Sequence, residues 1–175
     1  MSSQSNHVHA PSTSPITKRA GFVRRLGAWV YDALIITALM LLASSLALAF
    51  IYALNAMQLI ELPMGMDVSE YARTNWLYRF YLIFCFFGFY IWFWRRGGQT
   101  AGMKTWRLQL RSLDGDKLTH LQCVLRLLFS LFGLSNLWVI FPWSKKRALH
   151  DIMSGTEVVV LSKEENKHVN WKGYM

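Results

Sequence analysis

The stretch Ala33–Leu54, ALIITALMLLASSLALAFIYAL, decides the fold. Its 22 consecutive uncharged residues are mostly Leu, Ile and Ala. Wound as an α-helix they rise about 33 Å, enough to cross a hydrocarbon core of about 30 Å. The triplet Ala47-Leu48-Ala49 has the form of a signal-peptidase site. The basic region before it is long, however, and the apolar run continues through Phe50, Ile51 and Leu54, so the stretch reads as an uncleaved anchor. Ala43 and Ala47, and Ser45 and Ala49, recur at i, i+4 and let another helix approach closely, most simply within the same chain.

Downstream, Asn55 to Trp76 carries Glu61, Asp67 and Glu70 against a single Arg73, with Pro63 and Gly65, and reads as a polar loop. Leu77–Trp94 is a second run of Leu, Ile, Phe, Tyr and Trp, broken only by Arg79, which lies near one end and can snorkel to the interface. Upstream, residues 1–17 are Ser, Pro, Asn and His with almost nothing large and apolar, a composition that leaves a chain disordered. His7 and His9 in that tail make at best a weak metal pair and read as solvated.

Composition agrees with a chain solvated by lipid. Of the 175 residues 53% are hydrophobic and only 17% charged, and the 19 basic and 10 acidic residues avoid the apolar stretches. The net charge of +9 invites a nucleic-acid reading. Yet the basic residues sit at the ends of apolar runs, and no zinc spacing or aromatic RNA-binding signature accompanies them. The expected partners are therefore the bilayer and its anionic headgroups, and no nucleic acid. Cys85 and Cys123 lie in apolar stretches without Cys-x-x-Cys spacing and read as packing residues.

Lys and Arg mark the cytoplasmic side of membrane proteins. Lys18, Arg19, Arg24 and Arg25 precede the first run, Arg73 alone lies between the runs, and Arg95, Arg96, Lys104, Arg107, Arg111 and Lys117 follow the second. Both ends of this helical hairpin are expected in the cytoplasm. The third apolar stretch, Leu121–Pro142, is long enough to cross but opens onto Lys145, Lys146 and Arg147. Its middle, Gly133-Leu134-Ser135-Asn136, resembles a turn and divides it. Trp106 to Leu110 alternates, Thr156 to Leu161 is β-branched, and Asp114-Gly115 supplies a turn signal between two short strands. Paired strands share one side of the membrane.

The expected fold is thus mainly α and membrane-embedded. It has two transmembrane helices, a third apolar segment that is a re-entrant or interfacial broken helix, and a small cytoplasmic β element. Three simple crossings are the alternative. The expected organisation is a disordered N-terminal tail over 1–17, a membrane domain over 18–162 and a polar C-terminal tail over 163–175.

Four ionisable residues stand out. Asp32 lies at the entrance of the first helix, and Arg25, seven residues earlier, falls on the same helical face. A carboxylate at the membrane edge loses hydration and needs a cation or a proton, and Arg126, isolated among Leu and Phe, is the expected partner of Asp32. Asp151 is a second carboxylate on the same expected side. Arg25, Asp32, Arg126 and Asp151 form either an ion-pair network that docks the segments or a cation or proton site. His120 and His150 flank the third stretch and read as structural. The segment Gly97–Thr105, GGQTAGMKT, has the glycines and the Lys-Thr end of a phosphate-binding loop, but Met103 separates Gly102 from Lys104 where the motif needs them adjacent. It reads as a glycine-permitted turn from the second helix into the strands. No cofactor, no metal site and no enzymatic activity are expected.

Three segments carry a family resemblance. Arg25-Leu26-Gly27-Ala28-Trp29-Val30-Tyr31-Asp32, Gly98-Gln99-Thr100-Ala101-Gly102-Met103-Lys104, and Leu149-His150-Asp151-Ile152-Met153-Ser154-Gly155-Thr156 stand in this order around the apolar helices. Together they resemble the RDD family of small bacterial integral membrane proteins, named for one arginine and two aspartates. By resemblance Arg25 and Asp32 match the arginine and first aspartate, Asp151 the second aspartate, and Arg126 an arginine frequent after the cytoplasmic hairpin. Ala101 stands where a larger apolar residue is common, and Met103 separates glycine from lysine where relatives more often have them adjacent. The resemblance implies a multi-pass protein of the bacterial cytoplasmic membrane, its N-terminus cytoplasmic, in a family loosely linked to transport. The leading expectation is a part in ion or solute movement as a homo-oligomer, since so few segments enclose little volume. The competing one is a non-transporting assembly or accessory protein that docks on a membrane partner through its charge network.

Overall fold

The computed structural model describes residues 18–115 and 117–169. The expected tail over 1–17, with His7 and His9, lies outside the described residues, as does the end of the expected C-terminal tail.

The first helix, α1 (Phe22–Ala56), contains the apolar stretch and starts well before it. Phe22 to Tyr31 holds no proline, and α1 there runs through Arg24 and Arg25. Its buried residues, Arg25, Ala28, Asp32, Ile36 and Ala43, recur every three, four or seven positions and form one stripe, the face a 3.6-residue period presents to a neighbour. The segment expected as a plain loop contains a short helix, α2 (Val68–Thr74), whose first turn is capped by the Asp67 carboxylate accepting from the Glu70 amide at 2.7 Å. Asn75 caps α3 (Trp76–Gly97) in the same way, accepting from the Leu77 amide at 2.9 Å.

α1 and α3 are both long and apolar enough to cross a membrane. They meet through Ser44 and Tyr78, whose hydroxyls are 2.6 Å apart, and through the Tyr81 hydroxyl, which donates to the Ala43 carbonyl at 3.3 Å. Ala43 thus serves packing within the chain. The outward faces stay bare: Leu34 is 68% exposed and Phe84 76%. In water such a surface would drive association, whereas in a bilayer it is the solvated surface.

α3 ends at Gly98, which has a φ of 65°. A Cβ there would stand 2.5 Å from the Leu110 carbonyl oxygen, so glycine is needed both for the left-handed turn and for the close pass of the next strand. A five-residue helix, α4 (Ala101–Thr105), follows and leads into β1 (Leu108–Ser112). The local turn forms with Ala101 and Met103 in place.

β1 pairs antiparallel with β2 (Thr156–Val160), Leu110 opposite Val158. On the other edge of β2 the first described residues pair in turn: the Ala20 amide donates to Val158 at 2.9 Å, and the Val160 amide donates to Lys18 at 2.8 Å. The chain before α1, the chain after α3 and the chain after the third apolar segment therefore form one small plate. Its core is Ala20, Ala28, Trp94, Met103, Leu108, Leu110, Leu118, Cys123 and Val158. Cys123 is buried and Cys85 half-buried, and both are free thiols.

The third apolar segment is broken, as its sequence suggests. α5 (His120–Leu128) opens with a capping box of Thr119 and Gln122, and a 3₁₀ helix (Leu131–Ile140) follows at 83° to it. The Ser130 carbonyl fixes the bend by accepting from the Gly133 amide at 2.9 Å and the Ser135 hydroxyl at 3.1 Å. Local side-chain bonds of this kind compete with α-helical bonding. A second 3₁₀ turn (Pro142–Ser144) and α6 (Leu149–Met153) then return the chain to β2. The first part of the polar tail expected from residue 163 forms α7 (Lys163–His168), which is tied down by Asn166, accepting from Gln99 at 3.0 Å and donating to the Lys104 carbonyl at 3.1 Å.

Candidate functional site: a buried Arg-Asp-Arg cluster beside a cavity

Asp151 is fully buried in the first turn of α6. Its Oδ2 accepts from Arg25 Nη2 at 2.7 Å and from the Ala148 amide at 2.9 Å, while its Oδ1 accepts from Arg126 Nη1. Arg126 also donates to the Thr156 hydroxyl at 3.1 Å, and its guanidinium lies 5.3 Å from the centre of the Trp94 ring. Arg25 reaches back to the Ala20 carbonyl at 3.1 Å and to the Lys146 carbonyl at 3.2 Å. One carboxylate thus joins α1, α5 and α6. Burial alone would raise the Asp151 carboxyl, but Arg126 and Arg25 outweigh it and hold it well below the usual carboxylate range.

Asp32 is placed elsewhere, and this corrects its expected pairing with Arg126. Its Oδ1 accepts from the Gly102 amide at 2.9 Å, and its Oδ2 accepts from the Thr100 hydroxyl. Thr100 in turn accepts from the Met103 amide at 3.2 Å as the cap of α4. The carboxylate therefore fastens α4 to α1. Gly102 permits it: a Cβ there would stand 2.3 Å from the Ala28 carbonyl oxygen and 2.8 Å from Asp32 Oδ1. The structure brings Arg25, Arg126 and Asp151 into one ion cluster and leaves Asp32 out of it. Each carboxylate oxygen in both places has a partner in the chain.

His150 belongs to the cluster although its sequence context marks it only as structural. Its Nδ1 meets the Ser135 hydroxyl, and its Nε2 lies 3.4 Å from Asp151. Burial, with Arg126 close by, pushes it from the ordinary 6.5 down to about 3, so the ring is neutral at physiological pH. His120 instead contacts Arg95 at the start of α5.

Both shifts carry the same sign. His150 takes up a proton on unfolding anywhere between its ordinary and its depressed value, so its contribution is complete above pH 6.5 and is lost as pH falls towards 3. Asp151 adds its own loss only below the ordinary carboxylate range. Between pH 7 and pH 5 the unaltered chain should lose about 2 kcal/mol of stability relative to a His150→Gln variant, read from thermal unfolding of both in one detergent. Parallel profiles over that interval would assign the effect to other groups.

Beside the cluster lies a cavity of about 420 Å³. Ala28, Trp29, Asp32, Ala33 and Ile36 of α1, and Phe86, Phe87, Tyr90 and Trp94 of α3, form much of its wall. Arg25, Arg126 and His150 also line it, with Ser130, Gly133 and Asn136 from the bend. Three of the four residues singled out in the sequence, Arg25, Asp32 and Arg126, therefore face one space. Among the described residues no group of three His, Cys, Asp or Glu side chains is arranged to hold a metal ion.

Comparison with curated proteins and with solved structures found no match. The model of the RDD family matches residues 19–155, a span that holds α1, α3, the broken segment and all members of the Arg-Asp-Arg cluster. On that match, over most of its length, the chain belongs to the RDD family.

Proposed function

We propose that this RDD-family membrane protein lies in the bacterial cytoplasmic membrane with its N-terminus in the cytoplasm and takes part in moving a small ion or solute. The cavity carries the proposal, because an intramembrane space faced by Asp32, Arg25 and Arg126 is where a charged group could be held away from lipid. Orientation follows from the excess of Lys and Arg at the plate end of both helices. The plate supports a returning third segment, since β1 and β2 flank that segment and pair directly. Anionic headgroups are the natural neighbours of the basic rim, and a homo-oligomer would enclose a path that two helices alone do not. No catalytic turnover is part of this role.

Single cysteines placed at Asp67, Lys117 and Lys163, after Cys85→Ala and Cys123→Ala, test the topology. Lys117 and Lys163 positions should both label from the cytoplasmic side and the Asp67 position from outside. Labelling at 163 from outside would mean three full crossings.

The functional test is Asp32→Asn. Asparagine keeps the shape and can still accept from Gly102, so the fold should persist while the charge is gone. Proton flux into sealed vesicles, read with a trapped pH-sensitive dye, should fall about tenfold or more if the charge holds the moving species. Flux unchanged in a well-folded variant would remove Asp32 from any path.

The competing role is an accessory protein without flux. The saturated Asp151 favours it, since a carboxylate with both oxygens already bonded works as a clamp and leaves the bare face of α3 to meet a partner helix. In that case a co-purifying membrane protein should be lost when the clamp is broken, with no flux in either form.

A further inference from the structure

We propose that the cavity between α1, α3 and the broken segment binds an anionic amphiphile, a phosphate or carboxylate headgroup on an acyl chain, with the anion against Arg25 and Trp94. Two observations meet here. First, Arg25 and Trp94 are each more than nine-tenths buried and both line the cavity, and Arg25 Nη1 and Trp94 Nε1 have no hydrogen-bond partner among the described residues. Both unpartnered atoms are donors. The carboxylate on the same wall is already used, since each oxygen of Asp32 is bonded to Thr100 or Gly102. A buried donor left unpaired is costly, and the group that relieves two of them beside a guanidinium is an acceptor with negative charge.

Second, the charge balance and the shape agree with that group. Arg25 and Arg126 share the single carboxylate of Asp151, which leaves one positive charge in excess within the cluster, while the Asp32 carboxylate, which also lines the cavity, is bonded to Thr100 and Gly102. Away from this end the walls are apolar: Ile36, Phe86 and Phe87 lie about two to three helical turns along α1 and α3. From Arg25 to Ile36 the helix rises about 16 Å, room for a headgroup and the first part of a chain. Trp29 and Leu128 flank the space and are themselves exposed, 40% and 58%, so it opens on the apolar surface of the protein, where acyl chains lie. The volume falls within the range of small-molecule sites. A bare inorganic ion would satisfy the donors and leave the apolar walls without an occupant.

The site is independent of transport: it binds whether or not the chain moves anything, so failure of the flux test leaves it standing and the reverse also holds. The test uses the full chain in phosphatidylcholine nanodiscs doped with a trace of lipid carrying a diazirine on its acyl chain. Three probes are compared, phosphatidylglycerol, a free fatty acid and diacylglycerol, which has the acyl chains without an anion. Photolysis and peptide mapping should place the anionic probes on Ile36, Phe86 or Phe87 about tenfold more than diacylglycerol, the increment of one charge-assisted bond. Preference for phosphatidylglycerol identifies a phospholipid occupant, preference for the fatty acid a free carboxylate, and either supports the site. Ala33→Trp, which fills the cavity without touching the cluster, should abolish the labelling. Excess unlabelled phosphatidylglycerol should compete on the unaltered chain, a check that needs no variant to fold. Equal labelling by diacylglycerol, or labelling that survives both the tryptophan and the competitor, overturns the proposal.

Discussion

Asp151→Ala is expected to abolish accumulation of folded protein. The substitution leaves Arg25 and Arg126 facing each other in a buried site without their shared carboxylate. Breaking a buried ion pair by removing one partner costs about 3–5 kcal/mol, a large part of the whole stability of a domain. Here two guanidiniums are stranded, and the Ala148 amide loses its acceptor as well. The measurement is the monodisperse fraction on size exclusion after mild solubilisation, set against the unaltered chain. A companion variant separates lost charge balance from lost shape. Replacing Arg25, Arg126 and Asp151 together by Met, Met and Leu removes every charge at once, and apolar replacement of a buried ionic triad is often neutral or stabilising. The triple variant should recover folded protein that the single one loses. If Asp151→Ala alone is well behaved, the cluster does not hold the three helices together.

Gly102→Ala should be nearly as severe, for a steric reason. The added methyl would collide with the Ala28 carbonyl oxygen and with Asp32 Oδ1, at 2.3 Å and 2.8 Å, neither of which is the loose end of a flexible chain. Either α4 lifts off α1 and the Asp32 bonds to Thr100 and Gly102 break, or the α1 backbone bends. The expected cost is about 3 kcal/mol or more, the upper end of overpacking penalties. Gly88→Ala is the control, because a Cβ there meets nothing within 4 Å. It should change stability by no more than about 1 kcal/mol. Melting temperatures of both variants in one detergent decide the matter, and similar values for the two would mean that α4 is not closely packed on α1.

The spanning helices are legible in the sequence because a long run without charge has few alternatives, and the broken third segment because Gly133 and Ser135 interrupt an otherwise helical run. The strand pair is legible from alternation in one segment and β-branching in the other. The partners of the charged residues are not. Asp32 and Asp151 are chemically equivalent in the sequence, and nothing in their spacing says which one Arg126 meets. That choice is made in three dimensions by α4, a helix of five residues too short to show a period, whose amide at Gly102 and capping hydroxyl at Thr100 claim Asp32 first. α2 escapes for the same reason of length, although Asp67 with Glu70 three residues on is a readable cap. His150 looks ordinary in sequence because its burial depends on the 3₁₀ helix that brings Ser135 over it.

The plate also sets an order of events during synthesis. β2 is the central strand, bonded on one edge to β1 and on the other to residues 18–20, yet it leaves the ribosome after both. Until Thr156–Val160 emerges, the two earlier segments have no strand to join. Arg25, already placed at the head of α1, likewise waits for Asp151. A nascent chain stopped before Asp151 therefore carries two inserted helices with open strand edges and an uncompensated arginine. Completion of the last fifth of the sequence is what closes the molecule.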